Sequence, residues 1–165
     1  MGAMKVIGID PGVTGALAVV GDEHYPGGAN VWDLPVASIG TTKQIDPREL
    51  TEVLALIGPV DLVVIEDNRA NGVNGSKANF SMGLSLGIIH GVVAALDRPV
   101  LRVKPAQWQT FHGLTGPTLD SKSRKDMHRM RAIEKWPSAR EDLKRAMDHN
   151  RADALLIAEY GRSTL

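Results

Sequence analysis

The sequence contains no cysteine among its 165 residues. Disulfide bonds, thiolate metal sites and cysteine nucleophiles are therefore excluded, and this absence is typical of a reducing cytoplasmic compartment. Aromatic residues make up only 4% of the chain, so aliphatic side chains have to build the core. No uninterrupted apolar run approaches the roughly 20 residues that a membrane-spanning helix needs. We therefore expect a cytoplasmic protein without a membrane partner, in which any metal is held by oxygen or imidazole ligands.

The charge is balanced overall but divided along the chain. There are 19 basic and 19 acidic residues, and the segment 121–145 holds nine of the basic and four of the acidic ones. Its local net charge is +5, and the remainder of the chain carries −5. A basic segment beside an acidic remainder is typical of a protein that binds an anionic polymer near a carboxylate site. A solvated helix face without a partner is the alternative.

Length and hydrophobic patterning predict one domain. We assign residues 4–165 to it and the first three residues to a cloning remnant. Short apolar runs that end at turn residues predict strands at 5–10, 15–20, 30–35, 61–66 and 99–103. Helical spacing and capping residues predict helices at 47–57, 79–96, 105–111, 121–136 and 150–161. This order predicts an α/β fold with a mixed five-stranded sheet and helices on both faces.

Three carboxylates stand at positions that favour a metal site. Asp10 and Glu66 each end a predicted buried strand, and Asp153 lies in the last helix between two alanines. Taken singly, each is equally consistent with a turn, a strand end or a polar helix face. Together, and without Cys or ligand-spaced His pairs, they are typical of a hard-cation site for Mg²⁺ or Mn²⁺. Such a site suits two-metal hydrolysis of a phosphodiester.

Three motifs in this order closely resemble the RuvC family of Holliday junction resolvases, and in particular its compact phage enzymes. They are Gly8-Ile-Asp-Pro-Gly12 with Thr14-Gly15, Val64-Ile-Glu66, and Arg151-Ala-Asp-Ala154. The resemblance runs from Lys5 to Tyr160. It implies a ribonuclease H-like fold, a homodimer on four-way DNA, and paired nicks that leave 5′-phosphate and 3′-hydroxyl ends. It also implies a bacterial or phage-infected host cell, and it places the three carboxylates at the family's ligand positions for two metal ions.

The fourth ligand departs from the family pattern. The family has Asp or His three residues before the helical Asp, and this sequence has Asn150 there. We predict Asp148 as the charged substitute and Asn150 as the alternative, through its carbonyl oxygen. The segment from Lys104 to Arg131 resembles the family's basic segment between the fifth strand and the last helix, and the family's first basic residue there falls on Gln109, which puts that contact in doubt.

The resemblance and the charge pattern also predict DNA contacts. The candidate residues are Arg69, Lys77, Lys104, Lys122, Arg124, Lys125 and Arg129. For Phe80, Trp108 and Trp136 we expect packing rather than base stacking. Gly83, Gly87 and Gly91 follow one face of the second helix, which predicts close packing on the sheet or on a second subunit.

Other functions stay open at this point. A nuclease of the same fold could act on RNA ends or flapped DNA, and Gln109 and Asn150 leave room for a non-catalytic junction-binding protein. A sugar kinase or actin-like ATPase shares the Asp-x-Gly-x-Thr pattern of residues 10–14 but needs two such domains. We therefore expect no nucleotide cofactor.

Overall fold

The computed structural model describes residues 4–68, 74–116 and 120–165. The strands are β1 (Val6–Asp10), β2 (Ala16–Val20), β3 (Ala29–Asp33), β4 (Val36–Ile39), β5 (Thr42–Ile45), β6 (Leu62–Glu66) and β7 (Val100–Val103). The helices are α1 (Pro47–Ile57), α2 (Ser76–Ala95), α3 (Pro105–Phe111), α4 (Ser121–Lys135) and α5 (His149–Arg162). Short 3₁₀ turns lie at 26–28 and between 137 and 148.

Five strands form one mixed sheet in the order β3-β2-β1-β6-β7. The pairs β1–β2 and β2–β3 are antiparallel, whereas β1–β6 and β6–β7 are parallel. The predicted α/β class, the mixed sheet and its strand directions are confirmed. The central strand is β1, so a side chain at its carboxyl end has two strands of the sheet on either side.

The two faces of the sheet bury separate hydrophobic clusters because strand side chains alternate. Val6 points to the face that α5 covers, together with Trp108 and the inner side of α4. Ile7 and Ile9 point to the opposite face, which α1 and α2 cover. Helices therefore lie on both faces, as predicted.

Two glycines allow α5 to lie directly on the sheet. A Cβ at Gly8 would stand 2.2 Å from the backbone oxygen of Ala154, and a Cβ at Gly161 would stand 2.2 Å from Cγ2 of Val64. Neither position can hold a larger residue without moving the helix. Asp10 lies two residues after Gly8, and Asp153 lies immediately before Ala154. The close packing of Gly8 on Ala154 therefore also brings these two acids together.

Helix α2 contradicts part of one prediction. A Cβ at Gly83, Gly87 or Gly91 would meet nothing within 4 Å, so these glycines do not pack on the sheet, and their packing on a second subunit stays a prediction. The helix is also long and apolar enough to span a membrane by length and composition alone, with a mean hydropathy of 1.4 over a window that is only 17% buried. Polar and glycine residues interrupt the stretch, which is why no uninterrupted apolar run marks it in the sequence.

A small hairpin and some boundaries also differ from prediction. Strands β4 and β5 form a separate two-stranded sheet that was not predicted. Helix α2 begins at Ser76, three residues earlier than expected. The hairpin is mostly exposed and turns at Gly40, so it lacks the buried apolar run that marks the other strands.

Candidate active site

Asp10 and Glu66 lie side by side on one face of the sheet. Strands β1 and β6 pair in parallel with Ile9 opposite Ile65, so the next residues on each strand are level with each other. Asp10 shares a face with Val6, and Glu66 shares a face with Val64, because side chains alternate along a strand. Both Val6 and Val64 belong to the cluster beneath α5. The two carboxylates therefore face α5.

Helix α5 carries Asp153 to the same place. Its first turn is fixed by Asn150, whose amide donates a hydrogen bond to the backbone oxygen of Thr14. Arg151 donates from Nε and Nη2 to the two oxygens of Asp33 at 2.7 and 2.8 Å, which ties the helix to the end of β3. These contacts hold the amino end of α5 against the strand ends that carry the other acids.

The pKa of Asp10 depends on its burial and on the charges of the other two acids. Asp10 keeps a partly exposed surface, yet protein atoms surround most of it. This burial raises the pKa of Asp10 well above its usual range, and the carboxylates of Asp153 and Glu66 raise it further. Clustered acids without a compensating cation have this effect, because each disfavours the ionised form of its neighbours.

Glu66 is buried, with 6% of its surface exposed, and both oxygens accept hydrogen bonds. Trp108 Nε1 donates to Oε2 at 2.6 Å, and Asn68 Nδ2 donates to Oε1 at 2.5 Å. Burial raises the pKa of Glu66, and this outweighs the lowering by the two hydrogen bonds. The Trp108 bond spans 42 positions in sequence and was not predicted, although burial of the ring was.

Asp153 is hydrogen-bonded to a histidine that was not predicted from the sequence as a site residue. His128 of α4 lies with Nδ1 at 2.7 Å from Asp153 Oδ1, and only 5% of its surface is exposed. Its ring meets Trp108 edge to face, with centroids 5.3 Å apart. The spacing of His128 and Ala132, which stand four positions apart and are the buried residues of α4, is the part of this arrangement that the sequence contains. That spacing does not show that Asp153, 25 positions further along the chain, is the hydrogen-bond partner of His128.

A cavity of about 490 Å³ lies next to the carboxylates. It opens between the loop that follows β1 and the first turn of α5, and the three acids do not line it. Its lining includes Thr14, Leu34, Lys125, Arg145 and Asn150. Apolar, cationic and acidic groups surround this space, since Asp33 and Asp148 also line it.

No family model matches the chain, and no curated protein sequence does. Solved structures do match. Thermus thermophilus RuvC in complex with a Holliday junction substrate aligns with a TM-score of 0.58 and 21% identity, over 95% of this chain and 91% of that one. A second Thermus thermophilus RuvC structure aligns with a TM-score of 0.54 and 19% identity, over 98% and 97%. The chain has the RuvC fold. The ribonuclease H-like fold expected from the sequence is therefore confirmed.

Within this RuvC fold, Asp148 is paired with a cation. It is buried, and Arg145 binds it through Nη2 at 2.8 Å and through the backbone N–H at 2.8 Å. Burial alone would raise the pKa of Asp148, but the bonds from Arg145 outweigh it and lower the pKa. The prediction of Asp148 as a fourth ligand gains no support from this ion pair. Asn150 stays the alternative, since its bond to Thr14 uses the amide N–H and not the carbonyl oxygen.

The predicted DNA contacts divide into three groups. Arg69 lies outside the described residues. Exposed side chains are found at Lys77, Lys104, Lys122, Arg124 and Lys125. Arg129 differs, because its guanidinium donates to the carbonyls of Leu143 and Lys144 and to Asp126. These bonds give Arg129 a structural role between α4 and the following turns, and its phosphate contact stays a prediction.

The aromatic predictions are confirmed for two residues and wrong for one. Trp108 and Trp136 are buried as expected, with 1% and 7% of their surfaces exposed. Phe80 is 73% exposed on α2 and does not pack against the described chain.

The side chains of Asp10, Glu66 and Asp153 offer the hard oxygen atoms that a divalent cation prefers. Among the described residues, no three Asp, Glu or His side chains already stand close enough to one another to hold one ion. Glu66 and Asp153 are each hydrogen-bonded to an aromatic residue, Trp108 and His128 respectively. Hard oxygen donors and the mutual repulsion at Asp10 are nevertheless what a Mg²⁺ or Mn²⁺ ion would satisfy.

Proposed function

We propose that this chain is a metal-dependent endonuclease that resolves Holliday junctions and other branched DNA in the cytoplasm. It makes paired nicks by two-metal hydrolysis and leaves 5′-phosphate and 3′-hydroxyl ends. The observation that carries the proposal is the group of three carboxylates, whose proximity raises the pKa of Asp10 within a RuvC fold. The DNA substrate of the matching RuvC structure supports the choice of branched DNA.

In this proposal Asp10, Glu66 and Asp153 hold two Mg²⁺ or Mn²⁺ ions. The bound ions supply Lewis acidity to the attacking water and to the leaving 3′ oxygen. The protein contributes the positions of the carboxylates, which come from two strands of a rigid sheet and from one packed helix. Burial of Glu66 limits bulk water around the reacting phosphate.

The basic start of α4 supports DNA binding beside these acids. His128 of α4 contacts Asp153, and Arg124 and Lys125 precede it by four and three residues. Residues at this spacing lie on the same side of a helix. Phosphates that approach the carboxylates therefore pass close to these cations, and Lys122 begins the same turn.

Helix α2 supports the homodimer that the resemblance implies. Phe80 is 73% exposed on this helix, and a Cβ at Gly83, Gly87 or Gly91 would meet nothing within 4 Å, so its glycines leave an open face. Exposed apolar patches of this kind are typical of interaction surfaces. Two α2 helices packed together would bury this surface and place two active sites on one junction.

Cleavage of labelled four-way, flap, single-stranded RNA and duplex substrates with Mg²⁺, Mn²⁺ or EDTA tests the activity. We expect metal-dependent paired nicks in the junction and loss of cleavage in Asp10→Asn, Glu66→Gln and Asp153→Asn, with junction binding retained. Glu141→Gln removes an exposed carboxylate of the basic segment and serves as the control. Full activity in any of the three variants, or equal cleavage of unbranched DNA, would contradict the proposal. Preferred cleavage of flaps or RNA ends would mean that these, and not four-way junctions, are the substrate.

The salt dependence of junction binding tests the basic surface. The triple variant of Lys122, Arg124 and Lys125 to Gln should bind more weakly, and its salt slope should fall by about one for each phosphate that is no longer neutralised. Lys43→Gln changes an exposed lysine of the small hairpin and is the control. An unchanged slope in the triple variant would mean that these residues form only a solvated face.

The oligomeric state tests the α2 surface. Gly87→Arg places a charged side chain on the open glycine face, and it should convert a dimer into a monomer in analytical ultracentrifugation. Ile39→Arg puts the same charge on another exposed apolar position and should leave the dimer intact. A wild-type protein that is monomeric at all concentrations, with or without DNA, would exclude this interface.

A further inference from the structure

Two of the three acids are bonded to aromatic residues that form one buried unit. Trp108 donates to Glu66 at 2.6 Å, and His128 is bonded to Asp153 at 2.7 Å. The two rings contact each other edge to face at 5.3 Å. A continuous path of contacts thus runs from the sheet carboxylate through both rings to the helix carboxylate.

The direction of the Trp108 bond is fixed because an indole N–H can only donate. A carboxylate that holds a cation is ionised and can only accept. In the metal-binding state, His128 therefore presents N–H at Nδ1 to Asp153. Both donors bind one oxygen of their carboxylate, which limits the rotation of the acid about its last bond.

The second ring nitrogen of His128, Nε2, makes no hydrogen bond in the described part of the chain. It is buried, and burial without a hydrogen-bond partner is unfavourable for a polar atom. An apolar side chain of similar size would fill the space without that cost. The retained function of the ring is therefore its bond to Asp153.

We propose that Trp108 and His128 are positioning residues that orient Glu66 and Asp153 for divalent-metal binding. This inference rests on the proposed function, because it assigns the orientation of that same metal site. Hydrogen bonds to ligand carboxylates raise metal affinity by fixing the ligand geometry before the ion arrives. Neither residue contacts the substrate in this proposal.

The variants separate the hydrogen bond from the packing of each ring. Trp108→Phe keeps an aromatic ring and removes the N–H. His128→Leu removes the donor, whereas His128→Asn keeps an N–H close to the position of Nδ1. The controls are Trp136→Phe and His112→Leu. Trp136 ends α4 in the same core, and His112 is a buried histidine whose Nε2 donates to the carbonyl of Leu156 at 2.7 Å instead of to an acid.

The principal readout is Mn²⁺ affinity, measured by calorimetry on the DNA-free full-length protein. Trp108→Phe and His128→Leu should weaken it by about 10- to 100-fold. His128→Asn should restore most of the affinity, and both controls should bind like wild type even if they are less stable. Cleavage by Trp108→Phe and His128→Leu should recover in part at high Mn²⁺, and junction binding in EDTA should not change.

Other outcomes separate this inference from the proposed function. Wild-type Mn²⁺ affinity in both Trp108→Phe and His128→Leu would overturn the positioning role and leave the nuclease proposal standing. Equal loss in His128→Asn and His128→Leu would overturn the hydrogen-bond argument. If the wild type binds Mn²⁺ with the expected variant pattern but cleaves no branched DNA, the positioning role stands and the proposed function fails. Absence of Mn²⁺ binding in the wild type would overturn both.

Discussion

Replacement of Asp10 by Asn should stabilise the protein when no divalent metal is present. Burial and the two neighbouring acids raise the pKa of Asp10 in the folded state above its unfolded value of about 3.9. Ionised Asp10 is therefore less favourable in the folded chain than in the unfolded one. An amide of the same shape removes the charge and its repulsion.

The sign of the pH dependence follows from this shift. A raised folded pKa gives stability that is fully present below the unfolded pKa and is lost as the pH rises through the folded pKa. The difference between Asp10→Asn and wild type should thus be small below about pH 4 and widen toward neutral pH. We expect a difference of about 1–3 kcal/mol, the usual cost of a poorly compensated buried polar group. In a domain of this size that is a rise in Tm of about 2–10 °C.

Urea and thermal unfolding in EDTA, followed by far-UV circular dichroism across this pH range, measure the effect. Asp148→Asn is the matched control, because it is also a buried carboxylate but Arg145 outweighs burial and lowers its pKa. Stability from Asp148 is present above its unfolded pKa and is lost as the pH falls through the folded value, so the control should be destabilised at neutral pH. Equal or lower stability of Asp10→Asn than wild type at pH 7–8 would refute the reasoning.

Three further predictions concern metal, packing and charge. Saturating Mg²⁺ should raise the Tm of the wild type and leave Asp10→Asn nearly unchanged in the same thermal scans, since binding to the folded state alone stabilises it. Gly8→Ala should lower the free energy of urea unfolding by at least about 1–3 kcal/mol, because its Cβ would overlap the backbone of Ala154, whereas Gly116→Ala has open space and should be neutral. Arg129→Gln should lower the same free energy by about 1–3 kcal/mol through the loss of its hydrogen bonds to the carbonyls of Leu143 and Lys144, and Lys125→Gln should change it by less than about 0.5 kcal/mol.

Much of the fold could be predicted because its strands are marked in the sequence. Each strand of the main sheet is an apolar run that ends at turn or acidic residues, and periodicity detects such runs. The hairpin 36–45 lacks a buried run and was missed. Packing of the α2 glycines on the sheet was predicted and is not found, because spacing shows that three small residues share a face of the helix but not whether the sheet lies against that face.

The sequence indicates the three acids of the candidate site but not the side chains that are hydrogen-bonded to them. Asp10 and Glu66 could be placed from strand ends, since the register of parallel strands brings these ends together. The bonds of Trp108 and His128 depend on how α3 and α4 dock against the sheet, and no local pattern records that docking. The surroundings of Asp148 could not be predicted for the same reason, because sequence alone does not show that Arg145 pairs with this carboxylate.

The contact between Gly8 and Ala154 joins the first strand to the last helix. The acids of the proposed site therefore meet only after about 150 positions of chain have been synthesised and α5 has docked on β1. A nascent or truncated chain without residue 153 carries the basic segment but not the assembled acids. In the proposed function, such a fragment lacks the acids that cleavage needs, so the order of elements along the chain postpones the proposed activity until the fold is closed.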